Sequence, residues 1–375
     1  MESIRLPYSY FTKEESCFLA IDAGCSLTKL AYVNKNDWND GISNQKNKPD
    51  FVNVTLKVYD SSEDPMNIIQ DVEKIIAKGS CINLCGTMLS KFLAPVEKFL
   101  NIRCVTISEF DSIGSAFAAL KDEKDIFEHN DKDVIEDAQR HLIPMILALA
   151  PFGSYHLNNW DENSESKTIE LPCMVATIGA SCLYFKLDSE GEITPVDGSM
   201  FAGSTLLGLG SLLTGCKNFE ELVQLAEAGS NKSLDIFSRE LIYNSGDFQQ
   251  DFMPPDWISY AFGKAKGCKI EDFSKEDLAN TLVNSILMNI THTCHMCAQT
   301  NNLTRIYIVG GLCMSRLVRD TITRDIVLRC GLRKGKAKKI DVFFLKQAVY
   351  FQAIGNLLYN DCIENEANQT NNDAE

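Results

Sequence analysis

Residues 17–33 read C-F-L-A-I-D-A-G-C-S-L-T-K-L-A-Y-V. An apolar run from Cys17 to Ile21 stops at Asp22, Ala23 and Gly24, and a second apolar run follows from Leu30 to Val33. Two short apolar runs around a small-residue break predict a β-hairpin with a functional turn. The pattern restarts in the second half of the chain. Met174 to Ile178 is apolar, Gly179 and Ala180 interrupt it, and Cys182 to Leu187 resumes it before a turn at Asp188 to Gly191. Two halves that each begin strand, glycine turn, strand indicate an internal structural duplication. The fold class that follows is two α/β lobes, each opened by a glycine-turned hairpin.

Outward from the first hairpin, Asn34 to Asp50 is rich in Asn, Asp and Lys and reads as a loop, and Phe51 to Tyr59 alternates as a third antiparallel strand. Helical spacing of Ile68, Ile69, Val72, Ile75 and Ile76 predicts a helix over Asp64 to Lys78. Cys81 to Cys85 and Arg103 to Ile107 then read as strands, with helical pieces at Pro95 to Leu100 and Ile113 to Leu120. The polar stretch Tyr155 to Ser166 marks the expected boundary. Beyond the second hairpin the spacing predicts helices at Leu206 to Thr214, Phe219 to Ala228, Ser233 to Tyr243, Lys275 to Thr300 and Ala348 to Tyr359. Strands are expected at Arg305 to Val309 and Val342 to Leu345. The domains so read are 15–170 and 171–362, with 363–375 a disordered acidic tail.

Composition narrows the class. A chain of 375 residues with 45% apolar and 23% charged residues is that of a globular protein of two or three domains. Its 36 Lys and Arg against 51 Asp and Glu leave −15, a field that opposes nucleic acid and anionic membranes, so an anionic ligand must be held by local geometry. The longest apolar stretch, Leu142 to Phe152, contains Pro144 and Pro151 and falls short of the ~20 residues that span a bilayer. With no secretory pattern in Met1 to Ser16, a cytosolic protein is expected. The 14 cysteines sit mostly in apolar segments, as reduced thiols do. His292, Cys294, His295 and Cys297 have a spacing that suits zinc, but they fall in a helical pattern and lack a second Cys pair, which favours helix packing.

Three glycine turns suggest chemistry. Asp22, Gly24, Ser26 and Lys29 form a strand-ending D-x-G-x-S with a following lysine: small residues let backbone N–H groups approach a phosphate and Lys29 adds a point charge. Asp22 is placed to hold Mg2+ through its water shell. Gly310 and Gly311 after the Ile306 to Val309 run leave room for an adenine or ribose against the backbone. Gly203, Ser204, Thr205, Gly208 and Gly210 open a helix whose N-terminus suits an anion. Glu109, just after the Arg103 to Ile107 strand, has two readings: a base that takes a proton from a hydroxyl, or a helix-start residue beside a Ser108 or Asp111 cap.

These residues resemble the eukaryotic-type (type II) pantothenate kinases of the acetate and sugar kinase/actin superfamily. The strongest match is Gly203 to Cys216, G-S-T-L-L-G-L-G-S-L-L-T-G-C, against the family's G-G-T-F-x-G-L-x-x-L-L-T-G-C, continued at Phe219, Glu220 and Glu221. Ile242-Tyr243, Gly246-Asp247 and Phe262-Gly263 resemble further family segments, and the likeness covers roughly Phe18 to Leu358. It implies a two-lobed actin-like ATPase (ribonuclease H-like) fold that phosphorylates pantothenate to 4'-phosphopantothenate, the first step of coenzyme A biosynthesis, with ATP and Mg2+. By the same resemblance Asp22, Gly24, Ser26 and Lys29 match the first phosphate motif, Glu109 the catalytic base, Gly179, Gly203, Thr205, Gly310 and Gly311 the remaining nucleotide segments, and Ser181 and Gly198 the pantothenate segment. A homodimer and acyl-CoA as a feedback ligand are implied as well.

The departures cluster at ligand positions. Cys25 replaces a glycine, the family's N-I-G-S-G-V-S reads Thr177 to Leu183 with Ala180 and Leu183 at its two serine positions and Ser181 at a glycine, and an arginine that contacts substrate or acyl-CoA is Pro195. T-G-G-G reads Cys85, Gly86, Thr87 and Met88, and H-E-G-Y reads Gln347, Ala348, Val349 and Tyr350. Proline supplies neither charge nor donor. These changes imply, as the alternative to a working kinase, a catalytically impaired paralogue that binds nucleotide or acyl-CoA and acts as a regulatory partner, or a kinase for another small alcohol.

Overall fold

The computed structural model describes residues 2–11, 17–36, 38, 50–76, 81–123, 126–128, 133–140, 168–242, 256–331 and 339–359. The chain divides into two compact units: residues up to Glu123 together with those from Val349, and Lys124–Ala348. The expected boundary segment Tyr155 to Ser166, the Leu142 to Phe152 run and the acidic tail lie outside the described residues.

The first unit holds β1 (Glu2–Pro7), β2 (Cys17–Ala23), β3 (Leu27–Val33), β4 (Phe51–Asp60), β5 (Cys81–Cys85) and β6 (Arg103–Thr106) in one sheet of order β1-β4-β3-β2-β5-β6. β2, β3 and β4 are antiparallel neighbours, with Asp22 opposite Lys29, and β5 and β6 add in parallel. Parallel addition requires crossover helices, which the Pro65–Glu73 and Ser90–Leu100 helices supply. Asp64 caps the first of these, accepting from the Met66 N–H, with Pro65 at the first helical position, where a missing N–H costs nothing. Leu19, Ile21, Leu30, Tyr32, Ile68, Val72, Leu84 and Phe92 close one core between sheet and helices. Burying each such side chain contributes about 1.5–3 kcal/mol before entropy is counted.

The C-terminal Phe351–Leu358 helix belongs to this first unit, packed on the Glu109–Leu120 helix. The Ser112 hydroxyl donates to the Gln352 carbonyl at 2.7 Å, and Phe117 meets Phe351 edge-on. The sequence-based division at 170, with everything to 362 in the second lobe, therefore differs from the structural one: long-range docking of a chain terminus leaves no local signal.

The second unit repeats the plan. β8 (Cys173–Ile178), β9 (Cys182–Leu187), β10 (Ile193–Ser199), β13 (Arg305–Val309) and β14 (Asp341–Leu345) form a sheet of order β10-β9-β8-β13-β14, extended at its edge by β7 (Phe127–Glu128). β8 and β9 are antiparallel; β13 lies parallel to β8 and β14 to β13. Counting from each hairpin, both units share the order third-second-first-fourth-fifth. A separate two-stranded ribbon pairs β11 (Ile236–Phe237) with β12 (Ile258–Tyr260).

Lys275–Thr300 is helical over the whole span that its spacing predicts, and Ser274 caps it by accepting from the Asp277 N–H. Arg316–Gly331, also helical, had no sequence-based expectation. The expected Ser233 to Tyr243 helix is interrupted: only Ser238–Ile242 is α-helical, because the buried Asp235 carboxylate accepts from the Phe262 N–H and from Asn231 and draws the chain out of helical geometry. Among the described residues no helix is long and apolar enough to cross a membrane.

Candidate functional site

Asp22 lies near the end of β2, only 2% exposed, and its carboxylate accepts from the Lys29 ammonium at 2.9 Å across the hairpin. The turn between them is built from small residues. The Gly24 N–H donates to the Leu27 carbonyl at 3.1 Å, and a Cβ at Gly24 would stand 3.1 Å from Lys29 Nζ, so the ammonium lies against the turn's backbone. Cys25 and Ser26 are exposed, and their carbonyls accept from the Ser61 hydroxyl and N–H.

A second turn docks onto the first. Gly86, at φ +96°, follows β5 and packs on Ala23 so closely that a side chain would collide with the Ala23 carbonyl; the Met88 N–H donates to that same carbonyl at 2.8 Å. Only glycine satisfies both the positive φ and the approach. Cys25 Sγ and Thr87 Oγ1, which both replace family glycines, meet at 3.1 Å.

Glu109 is the first residue of its helix, in the place that the helix-start reading gives it. Ser108 is the cap: its hydroxyl accepts from the Asp111 N–H at 3.1 Å and donates to the Asp111 carboxylate. Glu109 is half-buried and takes no part in that cap. Burial raises its carboxyl pKa above the ordinary value, the Asp22 charge raises it further, and Lys29 opposes both. A carboxylate so placed is a competent proton acceptor for a hydroxyl. Cys85, the register partner of Asp22, is fully buried; burial lifts its thiol well above the usual range, and Asp22 and Glu109 add to the lift.

The second unit's predicted residues form a neutral cluster. The Gly179 N–H donates to the Ser181 carbonyl, and the first two amides of the Gly203–Thr214 helix, those of Gly203 and Ser204, donate to the Gly179 and Ala180 carbonyls at 3.0 Å each. The Thr205 hydroxyl donates to the Met200 carbonyl. The expectation of an anion on this helix N-terminus thus meets amides already engaged with the hairpin turn. Gly310, at φ +111°, packs on Ile178 as Gly86 packs on Ala23, and Gly311 starts a short 3-10 turn. Gly198 lies on β10 opposite Leu183, whose side chain stands 3.1 Å from where a Cβ at Gly198 would be. Pro195 sits at a bulge on that edge strand, a position that needs no donated N–H.

The His292, Cys294, His295 and Cys297 group lies on the Lys275–Thr300 helix. Cys294, His295 and Cys297 are buried, and His292 Nδ1 meets an Arg329 guanidinium nitrogen at 2.9 Å. Among the described residues no group of three or more His, Cys, Asp or Glu is arranged to hold a metal ion. The cysteines described are all free thiols.

A family model described as Fumble matches residues 18–359. The chain belongs to the Fumble family. Its members are type II pantothenate kinase-like proteins, and the paired third-second-first-fourth-fifth sheets are the two-lobed actin-like ATPase fold expected from the resemblance. Pantothenate kinase 1 of Arabidopsis thaliana is 32% identical over 198 residues, 52% of this chain and 50% of that protein. The mouse 4'-phosphopantetheine phosphatase is 26% identical over 364 residues, 95% of this chain and 43% of the relative. The chain spans half or less of the length of the curated relatives it matches. Among solved structures, the activator of the 2-hydroxyisocaproyl-CoA dehydratase from Clostridium difficile with bound ADPNP superposes with a TM-score of 0.47 at 10% identity, covering 94% of this chain and 97% of that one.

Proposed function

We propose that this Fumble-family protein is an ATP- and Mg2+-dependent kinase that phosphorylates pantothenate. The observation that carries the reading is the Asp22, Lys29 and Glu109 constellation of the first unit: a buried carboxylate-ammonium pair on a small-residue turn, beside an uncapped carboxylate of raised pKa. In this reading the Gly24 to Ser26 backbone and Lys29 receive the phosphates, and Glu109 accepts the proton of the pantothenate hydroxyl as it attacks the γ-phosphate. Magnesium, when bound, would neutralise phosphate charge, and Asp22, whose carboxylate suits such a hard cation through its waters, would orient it. Gly179, Gly203, Thr205, Gly310 and Gly311 complete the nucleotide segments, and Ser181 and Gly198 the acceptor segment. The exposed Leu209 and Leu212 on the Gly203–Thr214 helix favour a homodimer built through the second unit.

A second reading has its own support. Leu183 fills space beside Gly198, Pro195 offers no charge, and a relative that aligns with nearly the whole chain carries a phosphatase name. On that reading the chain binds nucleotide or acyl-CoA as a regulatory paralogue. Purified protein with Mg·ATP, assayed for phosphate transfer to pantothenate and a panel of small alcohols, separates them. Transfer confined to pantothenate supports the kinase; nucleotide binding without transfer to any acceptor supports the paralogue.

A further inference from the structure

The backbone of the Gly24 to Ser26 turn is gripped at two points by one residue. Ser61, which follows β4, donates its hydroxyl to the Cys25 carbonyl at 2.6 Å and its N–H to the Ser26 carbonyl at 3.1 Å. The N–H bond continues the β3–β4 ladder beyond its last pair, Leu27 with Asp60. The hydroxyl bond is no part of that ladder, and pairing the two strands does not need it. Ser61 is itself presented by a fixed turn. The Asp60 carboxylate accepts from the Ser62 N–H at 2.8 Å and from the Ser62 hydroxyl at 2.5 Å, and the Asp60 carbonyl accepts from the Glu63 N–H at 3.1 Å. On the β5 side, Cys25 Sγ meets Thr87 Oγ1 at 3.1 Å, so the backbone and the side chain of residue 25 are held by different elements.

A peptide unit is planar and trans, so its C=O and N–H point in opposite directions. By holding the Cys25 carbonyl, the Ser61 hydroxyl aims the Ser26 N–H away from Ser61, and among the described residues that N–H has no hydrogen-bond partner. Cys25 and Ser26 are both exposed, and the peptide between the two central residues of a turn is the one whose reversal converts one turn type into another. Reversed, it would present a carbonyl oxygen where the amide had been. Phosphate is attracted by the N–H and repelled by the oxygen. We propose that Ser61 is a positioning residue for the phosphates: its hydroxyl locks the Cys25–Ser26 peptide in the sense that offers the Ser26 N–H to an anion on the turn that Lys29 lies against. The inference rests on the reading of the Gly24 to Ser26 turn as a phosphate site.

The test compares wild type, Ser61→Ala and Ser61→Thr by titration calorimetry with Mg·AMP-PNP and by thermal melting without ligand. Ser61→Ala removes the hydroxyl bond and keeps the ladder bond, so the ligand-free melting temperature should change little. Its affinity for Mg·AMP-PNP should nonetheless fall roughly tenfold, the scale of losing one hydrogen bond to a charged group. Ser61→Thr keeps the hydroxyl and should bind within about twofold of wild type. A serine with only a structural role would lower the melting temperature and leave affinity alone. Binding by Ser61→Ala within about twofold of a wild type that binds would overturn the proposal and leave the nucleotide reading intact. Ser61→Thr as weak as Ser61→Ala would also overturn it, because the hydroxyl would then not be the group that matters. Wild type that shows no binding of Mg·AMP-PNP would overturn the nucleotide reading and this inference with it.

Discussion

In the first unit Gly86 crosses over Ala23, and in the second Gly310 crosses over Ile178. Aligning the two crossings makes Asp22 the counterpart of Thr177, and their cross-strand partners are Lys29 and Leu183. One hairpin carries a buried ion pair at its turn and the other an uncharged pair at the same register. The shared parts, strand order and positive-φ glycines, are what the backbone needs to bring a fourth strand's exit over a first strand's end. The parts that differ do not serve folding: a neutral pair suffices for that, as the second unit demonstrates. Asp22 and Lys29 are therefore the element that requires a functional explanation, since a buried ion pair is seldom more stabilising than an apolar one.

Giving the first hairpin the second one's chemistry should have the largest effect. Asp22→Thr should lower phosphate transfer at least ~100-fold, the scale of losing an electrostatic group at a reacting centre, while Thr177→Val should change it little; steady-state kinetics on both variants decide. Lys29→Leu should cost about 3 kcal/mol of stability, because it strands the buried Asp22 charge, and adding Asp22→Thr should recover most of that loss in denaturant titrations. Gly86→Ala and Gly310→Ala should each cost roughly 2 kcal/mol and by similar amounts, since both combine positive φ with a collision on a carbonyl. Unequal losses would show that one crossing is under less constraint than its twin.

The second unit's own buried charge gives a smaller effect with a defined pH window. Asp325 is 4% exposed, and burial pushes its pKa up to about 6 from 3.8, although Arg329 pulls the other way through a 2.7 Å bond. A carboxyl whose folded pKa is raised favours the folded state most below its unfolded value and loses that contribution as pH rises through about 6. Asp325→Asn should thus be more stable than wild type by roughly 1–2 kcal/mol at pH 7, with the gap closing below pH ~4. Melting curves across that range check the sign.

The hairpins were legible because both carry apolar runs around small residues, and β5, β9, β13 and the Lys275–Thr300 helix keep the bounds their sequence predicts. The edge strands β1 and β10 gave no such signal, being largely exposed and, in β10, interrupted by Pro195 and a bulge. The Arg316–Gly331 helix does carry a stripe, Val318, Ile322 and Ile326, but charged neighbours dilute it. Of the candidate site, Asp22, Lys29 and Glu109 were readable from their places at strand ends. The bond from the Asn83 amide to the Asn356 carbonyl was not, because it joins β5 to a helix 273 residues later in the chain. Gly203 and Gly310 each also have a close backbone contact that requires glycine, which no local pattern announces.

In the proposed function the charged first hairpin and its neighbouring carboxylate carry out a transfer reaction. The most direct measurement is Mg·ATP-dependent phosphorylation of pantothenate by wild type and Glu109→Gln side by side, with Mg·AMP-PNP binding recorded for both. Turnover by wild type is expected, with a loss of about 10²–10⁴-fold in the variant and binding preserved in each. Equal turnover by the two proteins, or a folded wild type that binds nucleotide and transfers nothing, would contradict it.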